Sequence, residues 1–84
     1  MATLLKSDGT QRQLKVGEYS TLEQKQQLVG GYVEFAYCED CVLIVNEEGL
    51  LYGLDLNEEA TFLYGQVVVG NVVKLSLTEF HALN

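Results

Sequence analysis

Cys38-Glu39-Asp40-Cys41 has the C-x-x-C spacing of redox dithiols and of half a zinc site. A redox pair normally opens a helix, where the dipole stabilises the thiolate. Here the four residues lie between two runs of strand character, so a hairpin turn is the expectation. Glu39 and Asp40 disfavour a thiolate there. A zinc site needs about four ligands, and the other good candidate is His81. As a general base, His81 would need an oriented partner, and no serine, cysteine or carboxylate stands beside it in a recognisable arrangement. The acids do not alternate as in an EF-hand loop, and the glycines form neither a P-loop nor a G-x-G-x-x-G fingerprint. The expectation is a protein without catalytic residues, metal or cofactor, and not an enzyme.

A different constellation runs from Asn46-Glu47-Glu48-Gly49 to Gly53-Leu54-Asp55-Leu56-Asn57. Turn chemistry accounts for each residue individually, with asparagine tolerating the turn and Gly49 supplying a positive φ. As a group they suit a loop that faces a ligand or a partner, because loops held by a rigid sheet often carry binding residues. Backbone N–H groups at Gly49, Gly53 and the helix after Asn57 could receive an anion. The candidate ligand-binding set is Tyr32, Asn46, Glu47, Glu48, Gly49, Tyr52, Gly53, Asn57 and Thr61.

The elements that would position this set follow from local patterns. Thr3 to Lys6 and Gln13 to Val16 read as strands around the Asp8-Gly9 hairpin signal. Ser20 and Glu23 have capping-box spacing and start a helix. Leu22, Gln26 and Val29 fall on one side of it, and Gly30-Gly31 stops it. Tyr32 to Tyr37 is a strand with Val33, Phe35 and Tyr37 on one face. Cys41 to Val45 is apolar without alternation, so both of its faces should be covered. The two form an antiparallel hairpin. Asn57 caps a short helix through Tyr64, with Glu58 and Glu59 in its first turn, and Gly65 ends it. Val67-Val68-Val69 and Val72 to Leu75 read as strands around Gly70-Asn71. Thr78 and Glu79 start a terminal helix with Phe80 and Leu83 inward. The fold class is α+β: a single small domain over residues 1–84. It has an antiparallel or mixed sheet of about five or six short strands, one main helix and one or two short ones.

The chain has 84 residues and a formal charge of -7. Up to Val33, four bases (Lys6, Arg12, Lys15, Lys25) oppose three acids (Asp8, Glu18, Glu23), which gives +1. Beyond it, nine acids oppose Lys74 alone, which gives -8. Such a balance argues against direct nucleic-acid binding, which needs clustered Lys and Arg. Hydrophobic residues make up 48% and charged residues 20%, a composition that folds. So small a domain covers its apolar surface poorly, so a homodimer or larger homo-oligomer is expected. Apolar runs such as Val42-Leu43-Ile44-Val45 fall far short of the roughly 20 residues that span a bilayer, so no membrane role is expected. The start, Met1 to Lys6, lacks the pattern of a secretion signal. A cytoplasmic setting, with both cysteines as thiols, is therefore the expectation.

Three segments carry a resemblance: Leu28-Val29-Gly30-Gly31-Tyr32-Val33-Glu34; Val45 through Thr61 with its NEEG-x-L-x-GL-x-LN core; and Gly65 with Val69-Gly70-Asn71-Val72. The chain resembles a domain-of-unknown-function family common in phage genomes and prophages. Members often carry proline at the position of Asp55 and a basic residue at that of Tyr52. The resemblance implies a phage accessory protein and supplies no activity. Two binding functions in counter-defence follow as expectations. The leading one is a sponge that sequesters a nucleotide-derived immune signal in a pocket, with Tyr32, Tyr52 and Tyr64 stacking on a base. The other is an acidic nucleic-acid mimic or protein inhibitor that occupies a bacterial defence protein such as a nuclease.

Overall fold

The apolar run at Cys41–Asn46 becomes a strand covered on both sides, and the rest of the fold is arranged around it. The structure, a computed structural model, describes residues 2–83, with the side chain at 83 left aside. In chain order the elements are β1 (Ala2–Leu5), β2 (Gln11–Leu14), a 3-10 turn (Val16–Glu18), α1 (Leu22–Val29), β3 (Val33–Tyr37), β4 (Cys41–Asn46), α2 (Glu58–Tyr64), β5 (Val72–Ser76) and α3 (Leu77–Leu83). The five strands form one sheet in the order β2-β1-β5-β4-β3, antiparallel throughout. The fold is α+β, with three helices. No described helix is long and apolar enough to cross a membrane.

The two-residue period of a strand sends neighbouring side chains to opposite faces. On one face Ala2, Leu4, Ile44, Val73 and Leu75 pack under α1 and α3, with Tyr19 and Val29 buried among them and Phe80 against them. On the other, Leu5, Ala36, Cys41, Leu43 and Val72 pack under α2 through Ala60 and Leu63, with Val68 alongside. Full burial of one such Leu or Val stabilises by about 1.5–3 kcal/mol, so β1, β4 and β5 carry most of the fold's hydrophobic stabilisation.

Several expectations hold in detail. The β1–β2 and β3–β4 hairpins form. Val33, Phe35 and Tyr37 share a face, where the rings of Phe35 and Tyr37 meet Phe80 edge-on at 5.7 and 5.8 Å. The Asn57 side chain caps α2 by accepting from the Ala60 N–H, and Gly65 ends it. Gly30 ends α1 at φ 83°, with its N–H and that of Gly31 both donating to the Gln26 carbonyl.

Other expectations are corrected. The first helix is capped one residue later than the Ser20–Glu23 spacing suggests. Thr21 accepts from the Gln24 N–H at 3.1 Å, and the Gln24 carboxamide accepts from the N–H groups of both Ser20 and Thr21. Leu22, the first residue of α1, lies in solvent, and Val29 and Leu28 face the sheet. Val67-Val68-Val69 is not a strand: it makes one bridge, Leu56 to Val69, because β5 is already flanked by β1 and β4. The terminal helix begins at Leu77, where Ser76 and Glu79 exchange hydrogen bonds at 3.0 and 3.1 Å in a capping box. Gly49 does not have a positive φ; what it supplies is size. A Cβ there would sit 2.7 Å from Cγ2 of Val69. The expected inward placement of Leu83 lies outside the described side chains.

Candidate functional site

On the α2 side of the sheet, β3 and β4 form the floor of a groove walled by residues 47–51 and 64–69. Its volume is about 390 Å³. The alternation of β3 turns Glu34 and Ala36 into it, and that of β4 turns Val45 into it. Val67, Val68 and Val69 line the opposite wall. Leu50 and Leu51, 73% and 75% exposed, stand at its mouth with Tyr64. The rim is acidic, with Glu34, Glu47 and Glu48 and no Lys, Arg or His among the lining residues.

Turn geometry builds the acidic wall. The Asn46 side chain accepts from the Glu48 N–H at 2.8 Å and donates to the Val29 carbonyl at 3.2 Å. The Glu47 N–H donates to the Tyr32 carbonyl at 2.8 Å, which extends the β3–β4 ladder by one pair. The Leu54 N–H then donates to the Gly49 carbonyl and the Gly70 N–H to that of Asp55, fastening the loop at its far end.

The sequence-derived residues divide into three groups. Asn46, Glu47 and Glu48 line the groove. Tyr32 and Tyr52 meet Glu48 and Gly30-Gly31 around an adjoining hollow of about 220 Å³. Gly49 is buried behind the loop and Gly53 lies exposed at its bend. Asn57 and Thr61 belong to neither recess, because the fold uses their polar atoms. The Asn57 amide donates to the carbonyls of Leu5 and Gly70, and the Thr61 hydroxyl both accepts from the Val68 N–H and donates to its carbonyl. The sequence reading did not pick out Glu34, Ala36, Leu50, Leu51 and Val67. Their available signal was the alternation of Glu34 with Ala36 beside an apolar pair in a polar loop.

The C-x-x-C forms the β3–β4 turn, with the Cys38 N–H donating to the Cys41 carbonyl at 2.9 Å. Burial, then the hydrogen bond and charge of the neighbouring Cys41 thiol, push the Cys38 thiol up to about 11. That is the opposite of an activated nucleophile. His81 is exposed, with its ring 5.7 Å from that of Phe80. Among the described residues no three His, Cys, Asp or Glu side chains gather as a metal ligand set.

Together these features define a small antiparallel α+β domain with an apolar, acid-rimmed groove on one face of its sheet. The chain belongs to the family described as Domain of unknown function (DUF3846), whose model matches residues 1–83. No curated protein and no solved structure matches it.

Proposed function

We propose that this chain is a phage accessory protein that acts in counter-defence by binding, and that it holds a bacterial protein through the groove. The observation that carries this reading is the composition of the recess: a valine- and alanine-lined floor, exposed Leu50 and Leu51, and three glutamates unopposed by any lining cation. Such a surface complements a protein segment with apolar anchors and Lys or Arg beside them. The resemblance of the GGYVE and NEEG segments to a family common in phage genomes supports the phage setting.

The nucleotide sponge has weaker support. Tyr32 and Tyr52 share a hollow that could stack a base, but Glu48 lies between that hollow and the groove, and phosphates find no cation in either. Mimicry of nucleic acid by one acidic face also loses support. Glu23 on α1 and Glu79 on α3 lie over one side of the sheet, whereas Glu34, Glu58 and Glu59 lie over the other.

The test uses two probes. A fluorescein-labelled peptide alternating leucine and lysine should bind the protein with an affinity that falls as salt rises. The combined Glu34→Lys, Glu47→Lys and Glu48→Lys variant should weaken it at least about tenfold, which corresponds to roughly 1.4 kcal/mol. Cyclic dinucleotides and ADP-ribose should give no heat in titration calorimetry. Nucleotide binding, or peptide binding indifferent to the three reversals, overturns the assignment.

A further inference from the structure

We propose that β3 is a dimerisation edge, and that a second copy of this chain pairs with it antiparallel about a two-fold axis to make one ten-stranded sheet. The inference does not depend on which partner the groove takes. β3 ends the sheet, and nothing in the described chain pairs with its outer side. The Cys38 N–H to Cys41 carbonyl and Glu47 N–H to Tyr32 carbonyl bonds fix the parity of the β3–β4 ladder. Residues 32, 34, 36 and 38 turn their backbone groups toward β4, so Val33, Phe35 and Tyr37 turn theirs outward.

That outward row is self-complementary. With Phe35 opposite Phe35 of the second copy, Val33 faces Tyr37 and Tyr37 faces Val33. All three are hydrogen-bonding pairs, giving six new backbone bonds. The same register places Glu34 opposite Ala36 rather than opposite its own twin. No like charges face each other directly across the seam, although each chain carries -7.

The two edges of the sheet differ in the way an interface requires. β2 is four residues long, polar and guarded by exposed Arg12, and the 3-10 turn at Val16–Glu18 ends it. β3 has no lysine, proline or bulge to protect its edge, and its one charged residue, Glu34, sits opposite Ala36 in the proposed register. Tyr32, Phe35 and Tyr37 instead present 66%, 39% and 63% of their surface. At about 200 Å² per ring, they offer roughly 340 Å² per copy. With the strand backbones added, the seam comes to about 1,000 Å² in total, the threshold for a biological interface and below the range of tight ones. That size predicts a concentration-dependent dimer rather than an obligate one. Because Glu34 and Ala36 also line the groove, dimerisation would bring the two grooves side by side across the joined sheet.

Native mass spectrometry and sedimentation over a micromolar range should show the 9.3 kDa chain passing to twice that mass. Tyr37→Lys, at an exposed edge position, should move the midpoint at least tenfold higher in concentration while circular dichroism stays unchanged. Register is tested in a C38A/C41A background. Phe35→Cys should give a disulfide-linked dimer on mild oxidation with glutathione disulfide, because hydrogen-bonded pairs bring Cα atoms to about 5.5 Å. Tyr37→Cys should not, because its two copies lie several residues apart along the seam. A chain that stays monomeric throughout, a dimer insensitive to Tyr37→Lys, or equal cross-linking of the two cysteine variants overturns the proposal.

Discussion

The side-chain amide of Asn57 donates to the carbonyl of Leu5 at 2.9 Å, joining residues 52 apart in sequence. The same nitrogen donates to the Gly70 carbonyl at 2.8 Å, and the side-chain oxygen accepts from the Ala60 N–H at 3.1 Å. One buried asparagine therefore caps α2, fastens its start to the end of β1 and holds the turn before β5. Asn57→Ala removes the cap and leaves two buried carbonyls without their donor. The expected loss is at least about 3 kcal/mol, from roughly 1 for the cap and at least about 1 for each carbonyl. Thermal denaturation should show a midpoint lower by at least about 10 °C. Asn57→Asp keeps the cap acceptor but sets a carboxylate against two carbonyls, so it should be no more stable than the alanine variant at neutral pH. A shift of only a degree or two in either variant would show that Asn57 is not the fastening point.

Gly49 and Gly53 lie in one loop for different reasons. At Gly49 a Cβ would meet Cγ2 of Val69 at 2.7 Å, and Val69 is β-branched and stiff at χ1. Gly49→Ala should cost about 1–3 kcal/mol through overpacking. Val69→Ala should recover part of that, with a coupling of about 1 kcal/mol in a double-mutant cycle. Gly53 has φ 66° and nothing near its added Cβ, so only conformation constrains it. Gly53→Ala should lose about 1 kcal/mol, and Gly53→Asn less, because asparagine tolerates the left-handed region. Chemical denaturation of the five variants measures both patterns. Additive losses at Gly49 and Val69 would rule out the steric explanation.

The pattern of residues revealed most of the sheet and little of the groove. β4 was legible because an unbroken apolar run must be covered twice, and α2 because Asn57 precedes two acids and Gly65 follows. Val67-Val68-Val69 has strand propensity as strong as that of β5. Which of the two joins the sheet depends on the long-range pairing of β5 with β1, and no local pattern encodes that pairing. Of the polar loop, Asn46, Glu47 and Glu48 line the groove. Yet Asn57 and Thr61, whose residue types suit ligand binding, spend every polar atom on the fold, and Glu34 entered the groove only through the pleat of β3.

The C-x-x-C should behave as a pair of sluggish thiols. Cys41 is buried, and the Cys38 thiol is held up to about 11 by burial and by Cys41. At neutral pH the thiolate fraction at Cys38 is then on the order of 10⁻⁴, against a few per cent for an ordinary cysteine. Iodoacetamide should alkylate the native protein at least about tenfold more slowly than the urea-unfolded chain. Labelling of Cys38 at the unfolded rate would require the β3–β4 turn to open readily.

Tyr19 and Glu79 couple the fold to pH. Burial, then the charge and hydrogen bond of Glu79, raise the Tyr19 phenol above its ordinary 10.0. Burial alone would raise Glu79, but hydrogen bonds from the Ser76 N–H and hydroxyl lead the effects that hold it below 4.5. A carboxyl depressed on folding contributes stability that is complete above its unfolded value and is lost as the pH falls through the folded one. A phenol raised on folding keeps a proton that the unfolded chain gives up, so its contribution is lost as the pH rises past 10. Stability should therefore be flat from about pH 5 to 8 and fall on both sides, with the raised Cys38 thiol opening the alkaline limb before the phenol extends it. Glu79→Gln removes the depressed carboxyl and the charge beside the phenol. Its acid limb should be shallower, and ultraviolet titration should show the late phenol moving toward 10 without reaching it, because burial remains the larger cause. Asp8 and Glu18 are also depressed, but both lie at the surface, where solvent screens them, so they set only a weak background slope. An unchanged acid limb in Glu79→Gln, with Tyr19 still titrating as late as in the parent, would show that the pair does not set the pH limits of the fold.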